Sequence, residues 1–94
     1  MKIVWSRRAI RHLTALRDHI AENSPDNAAA VAQRIINCVE LLADHPQMGR
    51  PGRIFGTREL VITGTPYIAP YRVRGERLEL IAIFHGRQKW PSHF

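Results

Sequence analysis

The chain has 94 residues, 45% of them hydrophobic and 23% charged, so we expect one domain over residues 1–94 and exclude a chain built around two cores. The single cysteine, Cys38, excludes a disulfide framework, and no apolar run has the length of a signal peptide or a membrane span, so we expect a cytoplasmic protein without a membrane partner. The formal net charge of +6 favours an acidic partner, which is either nucleic acid or an acidic protein segment.

The chain opens with a predicted strand and a predicted helix. Residues 2–5 are apolar and partly β-branched, which is typical of a strand. Ser6 can cap the helix that follows, and that helix should end near Asn23. Its apolar stripe at helical spacing consists of Ile10, Leu13, Leu16 or Arg17, and Ile20.

A second helix begins at Ser24-Pro25, where a capping hydroxyl precedes a proline at the first helical position. It closes at His45-Pro46, because the residue before a proline avoids helical angles. The link between the helices is very short, so they should lie antiparallel as a hairpin. The apolar stripe of the second helix consists of Ala28, Val31, Ala32, Ile35, Val39 and Leu42.

The second half of the chain predicts a basic loop and three antiparallel strands. Residues 47–57 hold three glycines and one proline, which is typical of a loop. Strands are predicted over 58–62, 67–74 and 77–85, and Gly75-Glu76 joins the last two as a hairpin turn. The predicted fold class is therefore α+β, with an N-terminal strand and an antiparallel helix hairpin packed on a mainly antiparallel sheet with three C-terminal strands.

The hairpin turn fixes a register in which side chains alternate between two faces of the sheet. One face, apolar and suited to the helices, pairs Val73 with Leu78, Tyr71 with Leu80, Ala69 with Ala82, and Tyr67 with Phe84. The other face pairs Arg72 with Glu79, Pro70 with Ile81, and Ile68 with Ile83, with His85 at the end. No predicted element covers this second face, so we expect it to be an open binding surface.

Two features could modify that sheet. Pro70 has no N–H to donate, so the strand should carry a bulge or an unpaired edge there. The tail, residues 86–94, is basic and carries Trp90 and Phe94. It could fold back on the sheet through Trp90 or be partly mobile.

The basic residues are concentrated in the half with the strands. Residues 50–94 hold eight Lys or Arg against three Asp or Glu. Loop and tail residues of this half could follow a phosphate backbone or an acidic partner, and Trp90 could stack on a base or fill the core. The candidate target-binding residues are Arg50, Arg53, Arg87, Lys89 and Trp90.

Arg58, Arg72 and His85 are candidate catalytic residues, because arginine supplies fixed charge for a phosphate and histidine supplies a titratable group. The alternatives are a cross-strand ion pair of Arg72 with Glu79 and a strand-end position for His85. The other histidines and Cys38 lack ligand spacing, and no glycine loop has phosphate-loop spacing, so no metal or cofactor is expected.

The order of these elements resembles the RelE/ParE superfamily of bacterial toxins, and the sequence detail is closer to the ParE branch. The segments that carry the resemblance are Ser24-Pro25 with the alanine-rich helix after it, 41–53, 56–61, 66–68, 71–73 and 85–91. The resemblance implies a type II toxin that forms a hetero-oligomeric complex with a ParD-like antitoxin, whose C-terminal segment folds onto it. The candidate antitoxin-binding residues are Ile68, Arg72, Ile81 and Ile83.

The two branches of the family imply different mechanisms. ParE-like members poison DNA gyrase, whereas RelE-like members cleave messenger RNA on the ribosome with clustered lysines and arginines. Here no lysine lies between Lys2 and Lys89, and no tyrosine follows His85. The chain therefore lacks the dense cationic cluster that stabilises the transition state of phosphoryl transfer. We therefore expect a gyrase inhibitor. The alternatives are a ribosome-dependent mRNA endonuclease and a non-toxic module that binds an antitoxin or nucleic acid.

Overall fold

The computed structural model describes residues 1–94 as two helices packed on one face of a six-stranded sheet. The helices are α1 (Arg7–Ala21) and α2 (Pro25–Leu41). The strands are β1 (Lys2–Trp5), β2 (Arg50–Pro51), β3 (Arg58–Val61), β4 (Tyr67–Arg74), β5 (Arg77–Leu80) and β6 (Phe84–His85). Their order is β1-β5-β4-β3-β2, with β6 also pairing to β4. Only the β1–β5 pair is parallel, which confirms the predicted α+β class.

Both helices begin at the predicted caps. The Ser6 hydroxyl accepts a hydrogen bond from the Ala9 N–H at 2.9 Å, and the Ser24 hydroxyl accepts one from the Asn27 N–H at 3.3 Å. The Ser6 hydroxyl also donates to the Ile81 carbonyl at 2.6 Å, which ties the start of α1 to the sheet. Neither helix is long and apolar enough to cross a membrane.

The buried stripe of α1 agrees with the predicted one at Leu13, Leu16 and Ile20, but it begins at Ala9 and not at Ile10. Ala9 and Leu16 are buried and Leu13 packs on the core, whereas Ile10 is 52% exposed. The prediction for Ile10 is therefore wrong, because the Ser6 contact with the sheet sets the rotation of α1 and turns Ala9 inward. The predicted stripe of α2 is confirmed, with Val31 only partly buried: the buried residues are Ala28, Ala32, Ile35, Val39 and Leu42.

The hairpin of β4 and β5 has the predicted register, with Arg74 opposite Arg77 and Tyr71 opposite Leu80. Gly75 opens the turn at φ +61°, in the left-handed region that glycine adopts without strain. Because Glu76 has negative φ, the turn resembles type II′.

Beyond Leu80 the register shifts by one residue, so the predicted continuous strand over 77–85 is wrong. Ile68 pairs with Phe84, and Tyr67 pairs with His85, each one residue later than predicted. The shift begins at Pro70, whose carbonyl accepts from the Ile81 N–H at 2.9 Å while its own nitrogen can donate nothing. Of the two predicted alternatives at Pro70, a bulge is present, but its extra residue lies in the opposite strand, between Leu80 and Phe84, and not in β4.

Because of the bulge, Ile83 and Phe84 lie on the faces of the sheet opposite to those predicted. Ile83 is 4% exposed and joins the main core under the helices, while Phe84 lies on the opposite face with Ile68. The freed N–H of Ile83 donates to Nδ1 of His12 at 3.1 Å. Burial, together with the charges of Arg8 and Arg11, lowers the pKa of His12. The neutral imidazole that results can accept this hydrogen bond.

The tail folds back on the sheet, as one of the two alternatives predicted. Trp90 and Phe94 pack against a second apolar cluster formed by Ile81, Ala82 and Phe84. The ring centroids of Trp90 and Phe84 are 4.7 Å apart. The expectation that nothing covers this part of the sheet is therefore wrong. That residues 1–94 form a single domain stays a prediction.

Candidate functional site

The sheet face opposite the helices, which we call the basic face, presents arginines from neighbouring strands. Arg72 and Arg74 lie on this face because they alternate along β4 with Tyr71, whose side chain is buried in the core under the helices. Glu59 lies there because it pairs with Pro70, and Arg50 lies beside it because it pairs with Glu59. The face therefore combines β2, β3, β4 and β5 with the tail.

Glu59 holds two arginines of the predicted target-binding set. Its side chain is 3% exposed. Its Oε1 accepts from Nη2 of Arg50 at 3.0 Å, and its Oε2 accepts from the backbone N–H and Nε of Arg53 at 2.8 and 3.0 Å. Burial alone would raise the pKa of Glu59, but the hydrogen bonds from Arg53 and Arg50 lower it below its usual value. The carboxylate is therefore charged at neutral pH, and it fixes the basic loop to β3.

Arg53 also joins the basic loop to the tail. Its guanidinium carbon lies 3.5 Å from the ring centroid of Trp90, so the indole is held between Arg53 and Phe84. The indole Nε1 is buried without a hydrogen-bond partner. The structure thus brings together Arg50, Arg53 and Trp90, and it satisfies the two arginines internally. By contrast, Arg87 and Lys89 are exposed.

A second carboxylate on the basic face also holds two arginines. Oε1 of Glu79 lies 2.8 Å from Nε of Arg72 and 3.5 Å from Nε of Arg74. The predicted cross-strand ion pair of Arg72 is therefore present. Because one negative charge faces two guanidinium groups, this part of the face keeps a positive excess.

The three candidate catalytic residues do not meet at one site. Arg58 pairs with Tyr71, so it lies on the helix side of the sheet, where its Nη1 donates to the Gly49 carbonyl at 2.8 Å. His85 pairs with Tyr67 and contacts its ring edge-on at 5.7 Å, whereas Arg72 lies on the basic face. The expectation that Arg72 and His85 share one face is wrong, because the bulge turns His85 to the other face. Arg58 is also separated from Arg72, because it pairs with the neighbouring Tyr71.

His85 closes the turn between β6 and the tail. Its backbone N–H donates to Oε1 of Gln88 at 2.8 Å, and its Nδ1 accepts from the Arg87 N–H at 3.1 Å. Nδ1 is occupied by this hydrogen bond, so only Nε2 is left to contact a partner. These contacts agree with the alternative interpretation of His85, in which it is a residue at the end of a strand and not a catalytic group.

The candidate antitoxin-binding residues are separated by the bulge. Ile68 is half-buried and Arg72 lies on the basic face. Ile81 is 8% exposed beneath the tail, and Ile83 is buried in the main core. The expectation that Ile81 and Ile83 line an open face is therefore wrong.

An exposed apolar strip that the sequence reasoning missed lies between α2 and the outer edge of β3. Leu41, Met48 and Val61 are 53%, 45% and 46% exposed. They line a cleft of about 330 Å³ together with Cys38 and Arg50. We call Leu41, Met48 and Val61 the apolar edge. Its sequence signal is Leu41, an apolar helical residue that falls outside the buried stripe.

The loop that contains Met48 is fixed by a buried tyrosine, which the sequence reasoning assigned only to the core. The Tyr71 hydroxyl donates to the Pro46 carbonyl and accepts from the Gly49 N–H, both at 2.8 Å. Burial raises the pKa of Tyr71, so the hydroxyl keeps its proton. A side chain at Gly49 would collide with the Tyr71 ring, which explains glycine at this position.

Residues 3–90 match the family model described as ParE toxin of type II toxin–antitoxin system, parDE. The chain is 44% identical over 91 residues to the putative toxin Y4kP of Sinorhizobium fredii, covering 97% of this chain and 94% of that protein. It is 36% identical over 84 residues to toxin RelE2 of Caulobacter vibrioides, covering 89% of this chain and 93% of that protein. Its fold matches a chain of the chromosomal ParDE TA system from P. aeruginosa with a TM-score of 0.82 and 31% sequence identity. The match covers 90% of this chain and 95% of that chain.

Proposed function

Because the chain belongs to the ParE toxin family of type II toxin–antitoxin systems, we propose that it inhibits DNA gyrase and is neutralised by a ParD-like antitoxin. We place this activity in the cytoplasm, since a chain with Cys38 alone has no disulfide framework.

The observation that carries the choice of a binding inhibitor over a nuclease is the separation of the candidate catalytic residues. Arg58 and His85 lie on the helix side of the sheet and Arg72 lies on the basic face. Phosphoryl transfer requires such groups to surround one phosphate within hydrogen-bond distance. An inhibitor that acts by binding needs no such convergence.

Arg87 and Lys89 are the proposed contacts to the target. Both are exposed. The other residues of the predicted set, Arg50, Arg53 and Trp90, are engaged with Glu59 or Phe84. We assign them the role of holding the tail against the sheet so that its two cations are presented to the target.

The second candidate is a ribosome-dependent mRNA endonuclease. The likeness to a relative named toxin RelE2 favours it. On this chain it would require Arg58, Arg72 and His85 to act on one RNA, which their present placement opposes.

Pulse-labelling of DNA and protein synthesis just after induction in bacterial cells tests the proposal. We expect DNA synthesis to fall first, with double-strand breaks. His85→Ala should remain toxic, whereas Arg87→Gln with Lys89→Gln should lose toxicity. The matched control removes two exposed cations elsewhere, Lys2→Gln with Arg77→Gln, and should remain toxic.

Three outcomes would contradict gyrase inhibition. Immediate arrest of protein synthesis would support the nuclease, and loss of toxicity in folded His85→Ala would do the same. Unchanged synthesis of both polymers with expression confirmed would support the non-toxic binding module.

We further propose that the antitoxin docks on the apolar edge. A strand at a sheet edge leaves backbone groups free to pair, and β2 covers β3 only opposite Arg58 and Glu59. Arg50 lines this cleft, and Arg34 lies near its other end, where it donates to the Thr63 carbonyl at 3.3 Å. An antitoxin segment with apolar anchors and acidic flanks fits this surface.

A further inference from the structure

A second cleft lies on the basic face between the loop 54–57 and the end of the tail. It encloses about 400 Å³ and its floor is formed by residues 72–74 of β4. Its walls are formed by residues 54–57 on one side and by His93 and Phe94 on the other. None of the candidate catalytic residues except Arg72 lies in it.

The floor of this cleft carries unused positive charge. Arg72 and Arg74 face the same oxygen of Glu79 through Nε, and none of their four terminal guanidinium nitrogens makes a hydrogen bond within the chain. Arg50 and Arg53 differ, because each donates a terminal nitrogen to Glu59. Both Nε atoms lie within 3.5 Å of the same Glu79 oxygen, so the two guanidinium groups are neighbours. Their unbonded terminal nitrogens can bind phosphate oxygens.

The walls of the cleft carry aromatic rings. Phe55 is fully exposed and Phe94 is partly exposed. The guanidinium carbon of Arg8 lies 5.9 Å from the ring centroid of Phe94 and extends the positive charge past the rim. A ring beside a phosphate-binding pair can receive a base, and every base offers a face for stacking.

We propose that this cleft binds single-stranded nucleic acid, with a backbone phosphate on Arg72 and Arg74 and a base against Phe94. The terminal nitrogens, the exposed Phe55 ring, the partly exposed Phe94 ring and the flanking Arg8 carry this inference, which goes beyond gyrase inhibition. Duplex bases are paired and stacked and cannot enter, so the ligand is unpaired. An acidic peptide would use the arginines but leave the aromatic walls without a role.

Fluorescence anisotropy of a labelled oligothymidylate with the purified full chain tests this. We expect Arg74→Gln to weaken binding about fivefold and the double variant Arg72→Gln/Arg74→Gln at least about tenfold. The double variant should also flatten the slope of log affinity against log salt by about 0.7 for each lost phosphate contact. Phe94→Ala should weaken binding at least about fivefold, because one stacked base is lost.

The matched control is Arg7→Gln/Arg17→Gln, which removes two exposed helix arginines and should bind like the unmodified chain. Arg74 is exposed, so Arg74→Gln separates lost binding from lost folding, and circular dichroism verifies each variant. Equal affinity of the cleft variants and the control would overturn the proposal. So would binding of oligoglutamate without binding of oligothymidylate. The assay contains neither gyrase nor antitoxin, so its failure leaves the test of toxicity unaffected.

Discussion

The buried side chain of Glu59 changes the role that we assign to the two arginines beside it. From the sequence, Arg50 and Arg53 are candidate target-binding residues. In the structure both donate to a carboxylate that is 3% exposed, so their charge is used to hold the loop in place. Arg87 and Lys89, which are exposed, have no such buried partner.

Replacing Glu59 by glutamine should lower the free energy of unfolding by about 2 kcal/mol, because charge-assisted hydrogen bonds to a buried carboxylate are lost. Urea unfolding measures this difference. Glu76→Gln, in the exposed hairpin turn, is the matched control and should change it by less than about 0.5 kcal/mol. An effect of Glu59→Gln as small as the control would mean that the two arginines do not depend on this carboxylate.

The difference in stability between the unmodified chain and Glu59→Gln should depend on pH. The pKa of Glu59 is lowered in the folded state, so its contribution is complete above the ordinary value of 4.5. It is lost as the pH falls through the lower folded pKa. The stability gap between the unmodified chain and Glu59→Gln should therefore narrow in acid, and a gap that widens would contradict the assignment.

At the scale of elements, the bulge opposite Pro70 decides what each face of the sheet displays. One extra residue between β5 and β6 places Ile83 under the helices and Phe84 on the basic face. Phe84 then provides the surface on which the tail packs. The bulge and the tail are therefore one structural unit.

Trp90 is the main anchor of that unit. Trp90→Ala should destabilise the chain by about 2 kcal/mol, less than for a fully buried tryptophan. Trp90→Phe should cost less, because it keeps a ring against Arg53 and Phe84 and removes the unpartnered indole N–H. Phe55→Ala is the control, since Phe55 is fully exposed and should leave the unfolding midpoint unchanged. A Trp90→Ala midpoint equal to that of the control would show that the tail contributes nothing to stability.

At the scale of the whole molecule, the chain presents two separate surfaces of different chemistry. The basic face offers cations and aromatic rings, whereas the apolar edge offers aliphatic side chains beside an incompletely paired strand. The cleft between the loop 54–57 and the tail and the cleft at the apolar edge share no lining residue, so variants in each can be tested independently.

The proposed antitoxin surface can be tested with a closely matched pair of variants. Leu41→Asp should weaken antitoxin binding in a calorimetric titration by at least about tenfold, because it puts a charge among the apolar anchors. Ile10→Asp is the control, since Ile10 on α1 has almost the same exposure, 52% against 53%. Equal affinities of the two variants would place the antitoxin elsewhere on the chain.

The sequence by itself determined the elements that local chemistry specifies. Ser6 and Ser24 predicted the helix starts, and Gly75-Glu76 predicted the hairpin register as far as Leu80. Pro70 also predicted a bulge or an unpaired edge, because a residue without an N–H cannot continue a ladder. These signals act within a few residues, so they can be read without knowing what packs nearby.

Only the tertiary structure decided which residues meet. The length of the bulge sets the face of Ile83 and His85, and this length depends on how the later residues pack against α1 and the tail. The pairing of Glu59 with Arg50 and Arg53 likewise depends on β2, a two-residue strand inside a predicted loop. A one-residue change in register reverses the face of a side chain, so long-range packing determines the composition of the candidate site.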